Sequence, residues 1–426
     1  MALATLGEFD LWSRPPLQCG VERELITLHR PWTTISQNSP ISFIIPTNEL
    51  EYVKLSDIDL KVKVKFSIKN KKANASAADN VLFYARLLPA QNFMHSMWKS
   101  VELEINNKLV TNSAQNYIFK SYFENFMLMS EEAKDSYLSA AGWGHDNSRK
   151  NWFTHNNTVE FMGRLSFDLA SQPRSILGGS QFKITLTPQS NWNTCIIDSS
   201  PDQNDVDFNV EIIDAELLVK KSIVNPKLRE AHIEALKINP AVYPHTRNEV
   251  KIFSVPSGMS NVMLDNIQLG ATPARAIVAL LPHDALNGNR TNVFKFSHHD
   301  LNYMCFFMDG IAHPAIPLQP DYSKGEYMRC YMSLFEAFND RDSNPSLKLS
   351  RFSYKDSNCM YAFNFLPDSS DGAVGSGYVN IPKAGAMRLD LRFSKALAEN
   401  MAVVIFFQYD SVMRINEDFT VQTDYN

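Results

Sequence analysis

The chain has 426 residues, of which 44% are hydrophobic and 20% charged, and its formal net charge is −5. This composition is typical of a folded globular protein and excludes disordered and collagen-like chains, and the length allows two large β-domains. Because the net charge is slightly negative, no global field attracts phosphate backbones. We therefore expect no sequence-specific nucleic-acid binding.

The cysteines and the absence of leader signals indicate the compartment in which the chain folds. An odd number of widely spaced cysteines without a C-x-x-C pair favours buried reduced thiols over a disulfide framework or a zinc finger. No signal-peptide pattern and no run of 18 uncharged apolar residues are found, which predicts folding in the cytosol or nucleus.

In chain order, the first feature is an N-terminal arm, which we assign to residues 1–40. Phe9, Leu11 and Trp12 lie in this arm ahead of the first plausible strand, and Pro15 and Pro16 favour an extended exit. So much apolar surface in a terminal segment predicts contact with a partner, although packing onto its own domain is an equal alternative.

Strands follow the arm. Over residues 60–68, apolar residues alternate with Lys61, Lys63, Lys65 and Ser67, which predicts a strand with one buried and one solvated face. Together with Lys69, Lys71 and Lys72, these lysines could meet phosphate or an acidic partner. We favour a solvated strand face that runs into a polar loop at residues 69–79, where lysine also protects an edge strand against pairing. Further strands are predicted at 101–105, 161–169, 182–186, 208–219, 250–255, 276–281, 303–308, 360–366, 387–393 and 401–409.

Four segments show helical patterns: residues 116–129, 131–141, 226–236 and 326–338. Two of them are aromatic and resemble each other. We expect Tyr117, Phe123 and Phe126 in one, and Tyr327, Tyr331 and Phe335 in the other, to anchor equivalent helices against equivalent sandwiches.

The resemblance between these helices extends to an internal duplication. Hairpin, aromatic helix, strand, strand and long strand occur in the same order in both halves, roughly 200 residues apart. Asn106-Asn107 and Asp309-Gly310 supply two-residue turns at matching places. We place the first domain at 41–225, a connecting helix and linker at 226–243, and the second domain at 244–426.

The predicted fold is all-β: two tandem antiparallel jelly-roll β-sandwiches, a double jelly roll, with a few inserted helices. Up-and-down barrels fit less well because the helices interrupt the succession of hairpins. Immunoglobulin-like domains are shorter and would require more domain joins than the sequence shows.

Motifs for catalysis or cofactor binding are missing. There is no P-loop, no G-x-S-x-G elbow, and Gly178-Gly179-Ser180 indicates a turn. The segment His298-His299-Asp300 offers metal-ligand types, but neighbouring strand residues point to opposite faces and no H-x-H of a bicupin oxygenase occurs. We predict no enzyme activity, no cofactor and no bound metal.

Three stretches carry a family resemblance. Residues 8–16 (EFDLWSRPP), residues 265–278 (DNIQLGATPARAIV), and Asp309-Gly310 followed by residues 317–320 (PLQP) and 327–335 (YMRCYMSLF) resemble the hexon-like double jelly-roll major capsid proteins of adintoviruses and Polinton (Maverick) elements.

The resemblance implies a major capsid protein, located in the virion, whose homotrimers form pseudo-hexameric capsomers of an icosahedral double-stranded DNA virus or virus-like element. It also implies capsomer–capsomer contacts and penton and minor capsid partners, and it leaves open whether a membrane lies beneath the shell. The modest loops argue against a tall outer tower. The alternative is a host-encoded β-sandwich protein that binds glycans or another ligand, since jelly rolls are also lectin scaffolds.

Overall fold

The computed structural model describes residues 17–36, 38–70, 87–111, 116–144, 146–150, 152, 158–198, 206–289, 291–338, 347–368, 380–381 and 383–425. The strands are β1 Val21–His29, β2 Ile41–Ile45, β3 Glu51–Asn70, β4 Leu87–Pro89, β5 Trp98–Ile105, β6 Lys108–Leu109, β7 Thr158–Arg164, β8 Phe182–Pro188, β9 Ile196–Asp198, β10 Val206–Val224, β11 Ala241–Val255, β12 Asn261–Ala271, β13 Arg275–Pro282, β14 Leu301–Met308, β15 Ile311–Leu318, β16 Met360–Asn364, β17 Ala384–Phe393, β18 Met401–Ile415 and β19 Val421–Thr423.

The α-helices are α1 Phe93–Ser96, α2 Tyr117–Leu128, α3 Glu131–Asp135, α4 Asp146–Lys150, α5 Pro226–Leu236, α6 Met328–Ala337 and α7 Arg351–Ser357. Short 3₁₀ helices occur at Tyr137–Ala141, Asp168–Ser171, Trp192–Cys195 and His283–Asn287.

All of these strands except β4 and β9, which pair with each other, build two sandwiches with one plan. In roll 1, sheet 1a has the order β1-β10-β3-β7 and sheet 1b the order β2-β8-β5-β6. In roll 2, sheet 2a has the order β11-β18-β13-β16, with β19 added to β18, and sheet 2b the order β12-β17-β14-β15. The strand pairs in these sheets are antiparallel. The predicted fold class, a double jelly roll with inserted helices, is confirmed.

The duplication is visible strand by strand. Each roll adds its strands to its two sheets in the same sequence. In each roll the helical insertion comes directly before the strand at the outer edge of the first sheet, β7 in roll 1 and β16 in roll 2. The two hairpin turns lie at matching places, with positive φ at Asn106 and Asn107 in roll 1 and at Asp309 and Gly310 in roll 2. These left-handed conformations explain the residue types found there.

Period-2 alternation explains the core of roll 1. Leu60, Val62, Val64 and Phe66 of β3 are at most 2% exposed and face sheet 1b, while the intervening lysines face outward. The pattern in roll 2 differs because both faces of sheet 2a are covered. The segments Arg275–Leu281 of β13 and Met401–Tyr409 of β18 are buried at every position.

The predicted boundaries differ from the strands at two places. The predicted arm, residues 1–40, includes β1, whose residues pair with β10 in sheet 1a. The predicted linker, residues 226–243, contains α5 and then the start of β11 at Ala241. Helix α5 begins as its sequence predicts, since the Asn225 side chain accepts a hydrogen bond from the Lys227 amide (2.9 Å) and Pro226 occupies the first turn.

Candidate functional site

Helix α2 lies at the junction between the two rolls. Its first residue, Tyr117, belongs to the core of roll 1, where the tyrosine hydroxyl lies 2.9 Å from His95 Nδ1. Farther along the helix, Phe123 is fully buried in the core of roll 2, with its ring 5.7 Å from that of Phe296 and 5.5 Å from that of Phe406. The helix thus comes from the roll 1 insertion but packs into roll 2.

Other aromatic residues of α2 extend this contact. Tyr122 stacks on Phe294 of roll 2, with ring centroids 4.0 Å apart and an interplanar angle of 7°. Phe126 is partly buried against the same cluster and stacks on Tyr122 at 5.5 Å. Close aromatic pairs of this kind stabilise packing beyond the area they bury.

A buried polar network crosses the same junction. Lys120 Nζ of α2 donates to Asp168 Oδ1 (2.5 Å), and the backbone N–H of Asn248 in β11 donates to the same oxygen (3.1 Å). Asn248 Nδ2 donates to Glu124 Oε1 (2.7 Å). Burial raises the pKa of Glu124, whereas Asp168 and Glu124 raise the pKa of Lys120 against the effect of its burial. Breaking such a network leaves a charge without its partner where little water reaches it, so the network favours one relative position of the rolls.

A cleft of about 820 Å³ opens beside this network, between the outer surfaces of sheets 1a and 2a. Its lining combines apolar groups such as Met129 and Phe338 with the charged residues Asp59 and Arg164. Asp168 Oδ2, which is buried here, has no hydrogen-bond partner among the described residues.

Helix α6, the roll 2 counterpart of α2, is placed differently. It packs against β16 of its own roll and against α7. Tyr327 is buried and its hydroxyl donates to the Arg351 carbonyl (3.2 Å), while Tyr331 and Phe335 are only half-buried. The two aromatic helices occupy the same place in the topology, but the structure does not place them in equivalent surroundings.

No group of three or more His, Cys, Asp and Glu side chains in the described part of the chain could hold a metal ion. His298 stacks on Tyr322 with ring centroids 4.1 Å apart, and its Nδ1 accepts a hydrogen bond from the Asp300 amide (2.9 Å). His299 and Asp300 have positive φ, so this segment is a turn before β14. No helix within the described ranges is long and apolar enough to cross a membrane.

The thiols are buried as predicted, except for Cys19, which is exposed. Cys359 lies in a buried cluster with Tyr322 and Tyr361, whose hydroxyl oxygens are 2.8 Å apart. Burial raises the pKa of Cys359 and, to about 12, that of Cys330. Because the thiolate is the reactive form, these cysteines are poor nucleophiles at neutral pH.

The predicted basic strand forms part of the solvated face of sheet 1a. Strand β3 is internal, so its lysines do not protect an edge. They face acidic residues on both neighbouring strands: Lys61 Nζ lies 3.3 Å from Glu160 Oε2 of β7 and 3.7 Å from Glu216 Oε2 of β10. Among the described side chains of these strands, this charge balance leaves no net basic patch for phosphate.

Exposed apolar side chains lie at one edge of the same face. On β1, Ile26 is 69% and Leu28 52% exposed, and Trp32 beyond the strand is 79% exposed. This surface had no sequence signal, because an apolar residue on a strand is ordinarily expected to face a core. The arm residues Phe9, Leu11 and Trp12 lie outside the described residues.

Comparisons with known proteins agree with the fold. No protein-family model matches the chain. An uncharacterized protein of Caenorhabditis elegans is 21% identical over 408 residues, which cover 90% of this chain and 94% of that protein. A chain of the Sputnik virophage structure has a TM-score of 0.64 at 11% identity and covers all of this chain and 93% of its own. The mavirus major capsid protein has a TM-score of 0.57 at 12% identity, with 100% and 95% covered. The chain therefore has the double jelly-roll fold of viral major capsid proteins.

Proposed function

We propose that this chain is a major capsid protein whose homotrimers form the pseudo-hexameric capsomers of an icosahedral double-stranded DNA virus or virus-like element. The observation that carries the proposal is the pair of complete jelly rolls with one strand order, held rigidly by α2 and the Lys120–Asp168–Asn248 network. The shared fold with viral major capsid proteins supports it.

The contact between the two rolls suggests how several chains would assemble into a ring. The contact between roll 1 and roll 2 is heterologous, because different surfaces of the two rolls meet. Heterologous contacts close into rings when the rotation allows. Six similar rolls from three chains would form a nearly sixfold tile that packs side by side with its copies, and no catalytic group is needed for this role.

Sedimentation velocity of the purified full chain, followed by negative-stain electron microscopy, tests the proposal. We expect a species of about 145 kDa, three times the chain mass of 48.4 kDa, and pseudo-hexagonal particles. An interface that holds a permanent trimer commonly buries about 2,000 Å² or more, so the trimer should persist at micromolar concentration. A stable monomer at every concentration and salt, particularly one that binds a glycan column, would contradict the proposal and favour the ligand-binding alternative.

The proposal extends to partners. We assign Phe9, Leu11 and Trp12 of the arm to contact with a neighbouring capsomer or a minor capsid protein, since three large apolar side chains in a short segment cannot form a core alone. Penton and minor capsid proteins would complete the shell. Deletion of residues 1–16 should leave trimers intact but lower the yield of closed particles. Normal particle yield after the deletion would assign the arm to its own subunit.

A further inference from the structure

The two rolls differ in what covers the outer face of the first two strands of their first sheets. These strands are β1 and β10 in sheet 1a and β11 and β18 in sheet 2a. In sheet 2a, the β11 and β18 strands are contacted by α2, the helical insertion of the preceding roll. In sheet 1a, the equivalent strands β1 and β10 have no such helix in the described part of the chain.

The contact of α2 with β11 and β18 shows which groups bind the outer face of these two strands. Besides the ring contact of Phe123 with Phe406, Asn116 Nδ2 donates to the Val250 carbonyl (3.4 Å). Glu124 accepts its hydrogen bond from Asn248. The helix therefore meets the outer face of these two strands through both apolar and polar groups.

The open surface of sheet 1a exposes apolar side chains at the corresponding strands, beside the Glu24–Lys220 ion pair (2.7 Å). Register places Ile26 opposite Lys220 and Leu28 opposite Leu218, whereas the intervening Val219 is fully buried in the core. Ile26 and Leu28 therefore project from the outer face. Clustered exposed apolar side chains on a folded protein indicate an interaction site.

The helical insertion of roll 2 has a matching free side. Helix α6 buries Cys330 and Leu334 against its own roll, but Met328 is exposed and Met332, one turn farther on, is half-buried. Phe352 of α7 is 64% exposed. Methionine side chains adapt well to the surface of a partner.

We infer that α6 and α7 of one copy bind the outer face of β1 and β10 of a second copy, repeating between chains the contact that α2 makes with β11 and β18 within the chain. Each roll would then present its helical insertion to the next roll around a closed ring. The inference rests on the proposed trimer and assigns its interface.

Charge substitutions at exposed positions test the interface without disturbing the core. Leu28→Asp and Phe352→Asp should each raise the trimer dissociation constant by about tenfold or more, as expected for a central apolar interface residue. The matched control is Met263→Asp, because Met263 is 59% exposed on β12 of sheet 2b, and it should sediment like the wild type. Circular dichroism melting should show that all three variants remain folded.

A crosslinking experiment identifies the contacting surfaces directly. With Cys19→Ser as background, the pair Leu28→Cys and Phe352→Cys treated with a short bismaleimide should give covalent dimers and trimers. The pair Leu28→Cys and Met263→Cys should give neither. A trimer that neither crosslinks through the first pair nor responds to Leu28→Asp or Phe352→Asp overturns this interface and leaves the proposed function standing. A protein that is monomeric at every concentration overturns both.

Discussion

The two rolls have the same strand order but different outer faces on their first sheets. In sheet 1a, Lys61 of β3 pairs with Glu216 of β10 and Glu160 of β7 on a face open to solvent. In sheet 2a, the outer face lies under α2, and Asn248 of β11 is 6% exposed, with its side-chain amide donating to Glu124 Oε1 of α2 (2.7 Å). One topology therefore supports either a solvated or a buried face, and the neighbouring roll decides which.

The pattern of apolar residues along the strands reflects this difference between the outer faces. The strand of residues 60–68 alternates strictly, because only one of its faces is buried. The runs in β13 and β18 are apolar at nearly every position, because both faces are covered. The apolar pattern of a strand thus indicates whether one face or both faces of its sheet are buried.

The helical insertions show the same contrast. Helix α2 is buried between two rolls, whereas α6 covers one roll and leaves Met328 exposed. Similar aromatic composition predicted equivalent anchoring, but α2 packs into the roll that follows it, whereas α6 packs against its own roll.

Phe123→Ala should give the largest loss of stability. Phe123 is fully buried and contacts Phe296 and Phe406 of roll 2, so truncation leaves a cavity at the junction and should lower the free energy of unfolding by about 3–5 kcal/mol. Phe335→Ala is the matched change in roll 2. Because Phe335 is only half-buried, we expect about 1–2 kcal/mol.

Chemical denaturation of both variants measures these losses. Equal losses would mean that the two helices anchor their surroundings equally and would remove the contrast between the insertions. An unchanged melting temperature for both would reduce the helices to surface additions.

The sequence predicted the repeated order of elements because each strand with a solvated face, such as β3, carries its own period. It missed β1 and β12, whose exposed faces include apolar residues such as Ile26 and Met263, so no clean alternation is present. It also missed α7, which has only seven residues. The length of the aromatic helix at α2 was predicted almost to its ends.

The junction was beyond sequence reasoning for a physical reason. Lys120, Asp168 and Asn248 are 48 and 80 residues apart along the chain, and nothing local marks them as partners. Tyr117 and Phe123 lie on one helix but enter different cores. An aromatic helix signals burial without specifying which roll provides the cavity.

Asp168→Ala should give the next largest loss. It leaves the ammonium of Lys120 buried without its carboxylate and removes the acceptor of the Asn248 amide. Because Lys120 keeps some access to water, we expect the free energy of unfolding to fall by about 2–4 kcal/mol. Glu234→Ala, which breaks the exposed Glu234–Lys237 pair of α5, is the control and should leave the unfolding curve unchanged. Similar losses in the two variants would show that the junction network is no more important than a surface pair.

Acid should weaken the roll 1 end of α2. Burial lowers the pKa of His95 to about 3, so the folded state keeps this imidazole neutral while the unfolded chain takes up a proton below about pH 6.5. The contribution of the neutral His95 to the free energy of unfolding is fully present above pH 6.5. It decreases as the pH falls towards 3, by at most about 1.4 kcal/mol per pH unit. Denaturation of wild type and His95→Asn across this range measures the effect. The variant should show a shallower decline, and parallel declines would exclude His95 as the source.

The smallest effect is expected on the solvated face of sheet 1a. A hydrogen bond from Lys61 to Glu160 raises the pKa of Lys61. Both side chains are exposed to solvent, which screens their attraction. Lys61→Ala should leave the melting temperature close to that of the wild type, and any difference should vanish at about 1 M salt, where the Debye length is about 3 Å. Thermal melts at low and high salt measure this, with Glu160→Gln as the partner variant. A large loss that persists at high salt would show that the lysine is held in a dry contact, and the contrast between the solvated sheet 1a and the covered sheet 2a would then fail.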